Sequence, residues 1–289
     1  MRTNRNKQGE NTVRNIFTAA LAAGAVLVAG CATPHLDIAE PDERQKAEAE
    51  ATLKHARIGP PRNVAADRMV PTVRRVIRRV RLASHAVCTD LKLPEERCKP
   101  MLEAKVFVHT KKKDINAFAD EDDNVGVYGG LVRHMGTDAE IAGVLAHEFA
   151  HVMYGHVESK KINAFIGGLI LGGLAAAASA AGGGKNQQLV RDSTSLGWEI
   201  GATAYSPEME IEADRTAVYI LRRAGFPVHA LQSALLRMNR ARAERSSGTF
   251  SGTVGFLETH PSNDRRHAHL ISAMEDVRAG KPLKPVEKE

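Results

Sequence analysis

Apolar residues recur at helical spacing through residues 138–153, Asp-Ala-Glu-Ile-Ala-Gly-Val-Leu-Ala-His-Glu-Phe-Ala-His-Val-Met, which predicts a helix there. Thr137 stands at the N-cap position, with Glu140 three residues on. Upstream, Val64, Met69, Val73, Val76, Ile77, Val80 and Leu82 mark the apolar stripe of an amphipathic helix over residues 63–87. The arginines between them (Arg74, Arg75, Arg78, Arg79 and Arg81) read as its solvated face, with contact to a membrane surface as the alternative. Residues 103–109 alternate as a strand does, and Asn124–Tyr128 form a second strand running into Gly129-Gly130. A strand just before the 138–153 helix is placed to offer a sheet edge to an extended peptide.

Downstream of that helix, Ile162–Gly184 is 23 residues without charge, flanked by Lys160, Lys161 and Lys185. The length permits a membrane span. Its seven glycines make it weakly hydrophobic, so the preferred expectation is a flap or helical hairpin near the cleft, or one touching the bilayer. Residues 189–201 carry no clear pattern. Ser206, Pro207 and Glu208 then supply N-cap, first-turn proline and first-turn acid for a helix that stops near Gly225-Phe226-Pro227. Another helix follows over 228–245, and a last one from after His260-Pro261-Ser262 to about Val277. The sum is an α+β chain, mostly helical, with a small sheet whose edge strand borders a cleft.

Length and composition change this picture little. At 289 residues and 43 % hydrophobic content there is room for one large domain or two small ones. The formal charge of +6 is inflated by residues 1–30, where Arg2, Arg5, Lys7 and Arg14 oppose Glu10. No zinc-finger spacing or aromatic-interleaved basic patch is present, so nucleic acid is not expected as a partner. The same thirty residues read as an export signal, with a basic start and an uncharged stretch closing in Leu27-Val28-Ala29-Gly30-Cys31. Small residues before a lone cysteine resemble a lipobox, with Cys31 lipidated as the mature N-terminus; an ordinary signal peptide or an uncleaved anchor is the alternative. Residues 31–62 read as a tether, 63–278 as the folded domain and 279–289 as a charged, disordered tail. In an oxidising compartment Cys88 and Cys98 are expected to pair across the turn at Pro94.

The chemistry lies in His147-Glu148-Phe149-Ala150-His151. On a helix the two histidines, four residues apart, project from one face and can grip one metal ion. Glu148, about 100° around, can reach a water on that metal as general base. A catalytic zinc needs a third ligand. The option that places His six residues beyond His151 fails, because Val157 stands there and His156 is one residue out of register. Glu210 on the later helix fits, with Asp214 one turn on to accept the other N–H of a liganding histidine.

These residues, with Asn116-Ala-Phe, Val127-Tyr-Gly-Gly-Leu131, Tyr205-Ser206, Glu210-Ile-Glu-Ala-Asp214, and His260-Pro-Ser with Arg266, resemble the HtpX-like and CAAX-prenyl-protease-like zinc metallopeptidases over about residues 100–270. Within that family the likeness is to the periplasmic lipoprotein branch of BepA, LoiP and YcaL. The resemblance implies one Zn²⁺ on His147, His151 and Glu210, with Glu148 as base. It also puts His260 and Arg266 near the cleft; with Tyr205 they are the candidate donors to a developing oxyanion, and His260 is counted as catalytic. Pro207 departs from the Arg usual after the Ser. Implied substrates are unfolded or misassembled envelope proteins, cut on the periplasmic side, with a lipid anchor in the inner leaflet of the outer membrane. The alternative is a periplasmic chaperone or assembly factor for outer-membrane proteins with a latent zinc site.

Overall fold

A computed structural model describes residues 35–181, 187–203 and 205–286. The leader, Cys31 and the last three residues lie outside them, as does part of the Gly-rich end of the 162–184 segment. The chain divides into two compact units, one of Pro34–Val157 with Tyr205–Glu289 and one that contains Glu158–Ala204.

In the larger unit the order is α1 (Glu43–His55), α2 (Ala66–Asp90), the single turns α3 (Glu95–Cys98) and α4 (Pro100–Glu103), and strands β1 (Val106–His109), β2 (Ala117–Ala119) and β3 (Val125–Tyr128). Then come α5 (Gly129–His134), α6 (Asp138–Tyr154), the start of α7 (His156–Ala181), α9 (Pro207–Arg223), α10 (Ala230–Ser246), α11 (Phe256–Thr259) and α12 (Asp264–Arg278). Helix α8 (Gln187–Thr203) falls in the smaller unit.

Helix α6 is the hub. Every residue from Glu140 to Tyr154 is buried, because α2, α9 and α10 pack around it. A helix enclosed on all sides has no polar face to keep, hence the near-continuous apolar run. Thr137 caps it as expected, its side chain accepting from Glu140 N at 3.1 Å. The Glu140 carboxylate reaches back to Gly136 N at 2.6 Å and is gripped by Arg237 of α10. At Gly143 the backbone of Leu231 passes so close that any Cβ would clash with it, which lets α10 approach to backbone contact. Gly155 ends the helix with φ of 65°, a left-handed turn that glycine adopts without penalty.

The sheet corrects the sequence in one respect. Strand β3 lies in the middle of the order β1-β3-β2, parallel to β1 and antiparallel to β2, so Asn124–Tyr128 cannot offer an edge. The edge that packs against α6 is β2, three residues too short to register as an alternating pattern. Helix α2 matches its stripe, with Met69, Val73, Val76, Ile77 and Val80 buried. Its arginines do more than face solvent. Arg79 donates to Ala224 O and Gly225 O at the end of α9 and lies 4.0 Å over the Phe226 ring, and Arg81 donates to Leu102 O and Ala104 O. Cys88 and Cys98 form a disulfide with Cα atoms 5.5 Å apart, fastening α3 to the end of α2.

Both ends of the domain are more ordered than a tether and a loose tail. Asp42 caps α1, which lies on α12 with Gln45 and Arg44 donating to Glu275 at 2.7 and 2.8 Å. Its inward residues include Ala49 and Gln45, whose small or polar side chains leave almost no hydrophobic signature. Residues 35–37 pair with the tail: Asp37 N donates to Lys284 O, Val286 N to His35 O, and Leu36 bridges Pro285.

In the smaller unit, the stretch without clear pattern is helical as α8, and α7 and α8 come together where Gly172 makes room for Thr194. Among the described residues no helix is long and apolar enough to cross a membrane. Ile162, Phe165 and Leu169, spaced along one side of α7, are exposed.

Candidate metal centre

Two elements converge on α6. Helix α9 presents Glu210 and Asp214 from one face, four residues apart, and the short α11 delivers His260 just beyond its end. His147, His151, Glu210 and His260 offer ligand atoms all within 4.8 Å of one another, and all four residues are buried. His147 Nε2 and His151 Nε2 face each other at 3.0 Å. Glu210 Oε2 stands 3.5 Å from His147 Nε2 and Oε1 3.3 Å from His151 Nε2. His260 Nδ1 is 2.8 Å from Glu210 Oε1 and 3.1 Å from His147 Nε2.

Two imidazole nitrogens pointed at each other and at a carboxylate form the donor set of a divalent metal. Both Glu148 oxygens, though fully buried, have no hydrogen-bond partner among the described residues. Burial pushes the Glu148 carboxyl up, while Glu210, despite the same burial, is held well below the carboxylate range by the Arg266 charge and the histidines. Burial also drives His151 well below its usual value, keeping it neutral and able to ligate. The residues fit a metal.

The expected donors fall into different places. Arg266 is turned into the core. It is 2 % exposed, grips Asp214 through Nε and Nη2 at 2.7 and 2.6 Å, and sends Nη1 to Glu210 Oε2 at 2.5 Å and to Pro261 O at 2.9 Å. So engaged, it fixes the two acids of α9. Asp214 Oδ1 lies 3.0 Å from His147 Nδ1, behind that ring. Tyr205 stacks on His151 with ring centroids 3.9 Å apart, and burial together with the Glu148 and Glu210 charges pushes its hydroxyl up, so it stays a neutral donor. His260 sits inside the ligand group, its ring stacked on Phe256 at 4.4 Å and its Nε2 3.6 Å from Glu148 Oε1.

Sequence reasoning passed over three residues. His156, set aside as out of register, is buried with Nδ1 2.9 Å from His151 Nδ1 and Nε2 3.2 Å from Glu212 Oε2. Glu212 is buried; hydrogen bonds from His156 and His35 overcome burial and hold its carboxyl down at about 2. A histidine directly after the glycine that closes a metal-site helix was the available signal.

The sequence profile of peptidase family M48 matches residues 79–274. The chain belongs to peptidase family M48. Among characterised relatives of this M48 chain, metalloprotease LoiP of Escherichia coli (strain K12) is 30 % identical over 162 residues, 56 % of this chain and 60 % of LoiP. The beta-barrel assembly-enhancing protease of the same strain is 29 % identical over 177 residues, 60 % of this chain and 35 % of that protein. Metalloprotease YcaL is 31 % identical over 160 residues, 54 % and 57 % of the two chains. The M48 chain thus spans less than two thirds of the length of each of these three relatives.

Proposed function

We propose that this chain is a zinc-dependent endopeptidase that cuts unfolded or misassembled proteins of the cell envelope. The observation that carries the reading is the buried convergence of His147, His151 and Glu210 beside the buried carboxylate of Glu148. His147, His151 and Glu210 would hold the metal, which when bound would supply a Lewis acid and a water of lowered pKa. Glu148, buried beside the ligands, would take the proton of the attacking water and return it to the leaving amine. Tyr205, kept protonated, is placed to donate to the oxyanion. Strand β2, the edge beside α6, suits backbone pairing with an extended substrate. Envelope substrates, a periplasmic site and the Cys31 lipid anchor rest on the likeness to the assembly-enhancing protease and on the leader's pattern.

A second reading is favoured by His260. Its Nδ1 lies as near Glu210 as the ligand histidines do, and as a fourth donor it would fill the position a water needs. The site would then be latent and the protein chiefly a holder of client chains.

One experiment separates these. The chain, Glu148→Ala and His260→Ala are assayed together for bound zinc and for cleavage of an unfolded protein. The peptidase reading expects about one zinc in each, with cleavage lost in Glu148→Ala. Faster cleavage in His260→Ala assigns that residue to closing the site, slower cleavage to catalysis. No cleavage by any of the three, at full zinc, leaves the holding role; no zinc in the parent chain sinks both.

A further inference from the structure

Glu212 stands two residues from Glu210, about 200° around the helix, and so points away from the ligand group. It nevertheless reaches the group through another helix. Helix α6 ends at Tyr154, Gly155 turns the chain in the left-handed region, and His156 opens α7 with its ring folded back beneath His151. Three contacts then line up: His151 Nδ1 to His156 Nδ1 at 2.9 Å, His156 Nε2 to Glu212 Oε2 at 3.2 Å, and two backbone amides on the far oxygen. Those amides, His35 N and Leu36 N, donate to Glu212 Oε1 at 2.6 and 2.7 Å, while His35 Nδ1 stands 3.2 Å from Oε2.

Proton placement in this row is determined if His151 Nε2 is a metal ligand. A nitrogen that lends its lone pair to a cation carries no proton, so the His151 proton sits on Nδ1. His151 therefore donates to His156 Nδ1, His156 is protonated on Nε2, and it donates to Glu212. Every donor points outward to the carboxylate. We propose that His156 and Glu212 are positioning residues for His151, and that the backbone of His35 and Leu36 is the clamp that holds Glu212 in place. This rests on the reading of His151 as a ligand. It makes the segment just after Cys31 a working part of the metal centre rather than a mere connector.

The same atoms admit a rival use. His35, His156 and Glu212 offer ligand atoms within 4.8 Å of one another, the spacing of a second cation site. Binding there would strip the proton from His156 Nε2, return it to Nδ1 and force the His151 proton onto Nε2, the atom the first metal needs. The two uses compete, because each needs the proton shared across the 2.9 Å contact between the two Nδ1 atoms to sit on a different ring.

The test is zinc binding by the full chain in detergent, titrated against a chromophoric chelator, with cobalt(II) absorption as a second readout. The wild type is expected to hold one zinc per chain. His156→Ala weakens it about 10–100-fold and shifts the cobalt band. His156→Gln, which retains an acceptor and a donor, recovers most of the affinity and the wild-type band, a rescue that mere space-filling would not produce. Glu212→Gln, nearly the same size, weakens binding without unfolding the chain and stands in should His156→Ala misfold. Wild-type affinity in both His156→Ala and Glu212→Gln overturns the proposal, as do two zinc ions per chain with one lost in His156→Ala. Unchanged affinity in His151→Ala fails the ligand reading instead, and the proposal with it.

Discussion

His147 and His151 sit one turn apart on the same helix, yet they are held from behind in opposite ways. Behind His147 is a charge, Asp214, locked in two places by the Arg266 guanidinium. Behind His151 is a second imidazole, with the carboxylate one ring further out on Glu212. A carboxylate in direct contact makes an imidazole a stronger base; one acting through a neutral ring passes on only part of that effect. The first support is built from α9 and α12 alone. The second depends on residues 35 and 36, far away in sequence. One histidine is thus secured by the core, the other by the chain's entry into the domain.

The largest expected effect leaves both supports alone. Glu148→Ala removes the base without touching either ring, so cleavage should fall about 10²–10⁴-fold with metal content unchanged. Metal loss in that variant would show that Glu148 belongs to the ligand set and not to the proton's path. Next comes Arg266→Ala, which strikes the support behind His147 and, with it, Glu210, which faces both histidines. It strands Glu210 and Asp214 as buried charges, and breaking such a pair costs about 3–5 kcal/mol, read as a lower denaturation midpoint. A loss under 1 kcal/mol would mean that water replaces the guanidinium.

A direct trial of the contrast sets Asp214→Asn against Glu212→Gln. Asp214→Asn should weaken zinc by about 10–100-fold. Glu212→Gln should cost less, since its influence arrives through His156. The reverse order would show that the outer carboxylate matters more than the adjacent one.

What could be read from the chain divides along the same line. His147, Glu148, His151, Glu210 and Asp214 were legible because each relation among them lies within one helix, at spacings of one, four and four residues, plus a match between two helices. His156 and Glu212 were not. Their pairing depends on a left-handed turn at Gly155 and on an N-terminal segment whose docking leaves no periodic trace. Arg266 was placed near the site, but its grip on Asp214 and Glu210 was not legible, because a sequence does not show which partners a guanidinium takes. Strand β2, at three residues, and helix α1, with polar and small inward residues, lie below the resolution of a hydrophobic pattern.

The smallest effect concerns a third carboxylate, at the other end of the same helix. Asp138 also has arginines for partners, Arg62 at 2.6 Å and Arg75 at 2.9 and 2.6 Å, but at the surface. Partial burial works to raise its carboxyl, and the two guanidinium hydrogen bonds outweigh that and hold it below the ordinary 3.8. A lowered folded value means that Asp138 stabilises the fold above the unfolded value and ceases to do so as pH falls through the folded one. Asp138→Asn should therefore cost up to about 1 kcal/mol at neutral pH, from the ion pairs and the helix N-terminus together. That difference from wild type should close as pH falls below the ordinary 3.8 and through the lowered folded value, and shrink in 1 M salt. The Arg266→Ala deficit, lying where salt does not reach, should persist in the same buffer. Equal salt sensitivity in the two denaturation series would show that water reaches the Asp214–Arg266 pair, and that the support behind His147 is no more a part of the core than the ion pair on the rim.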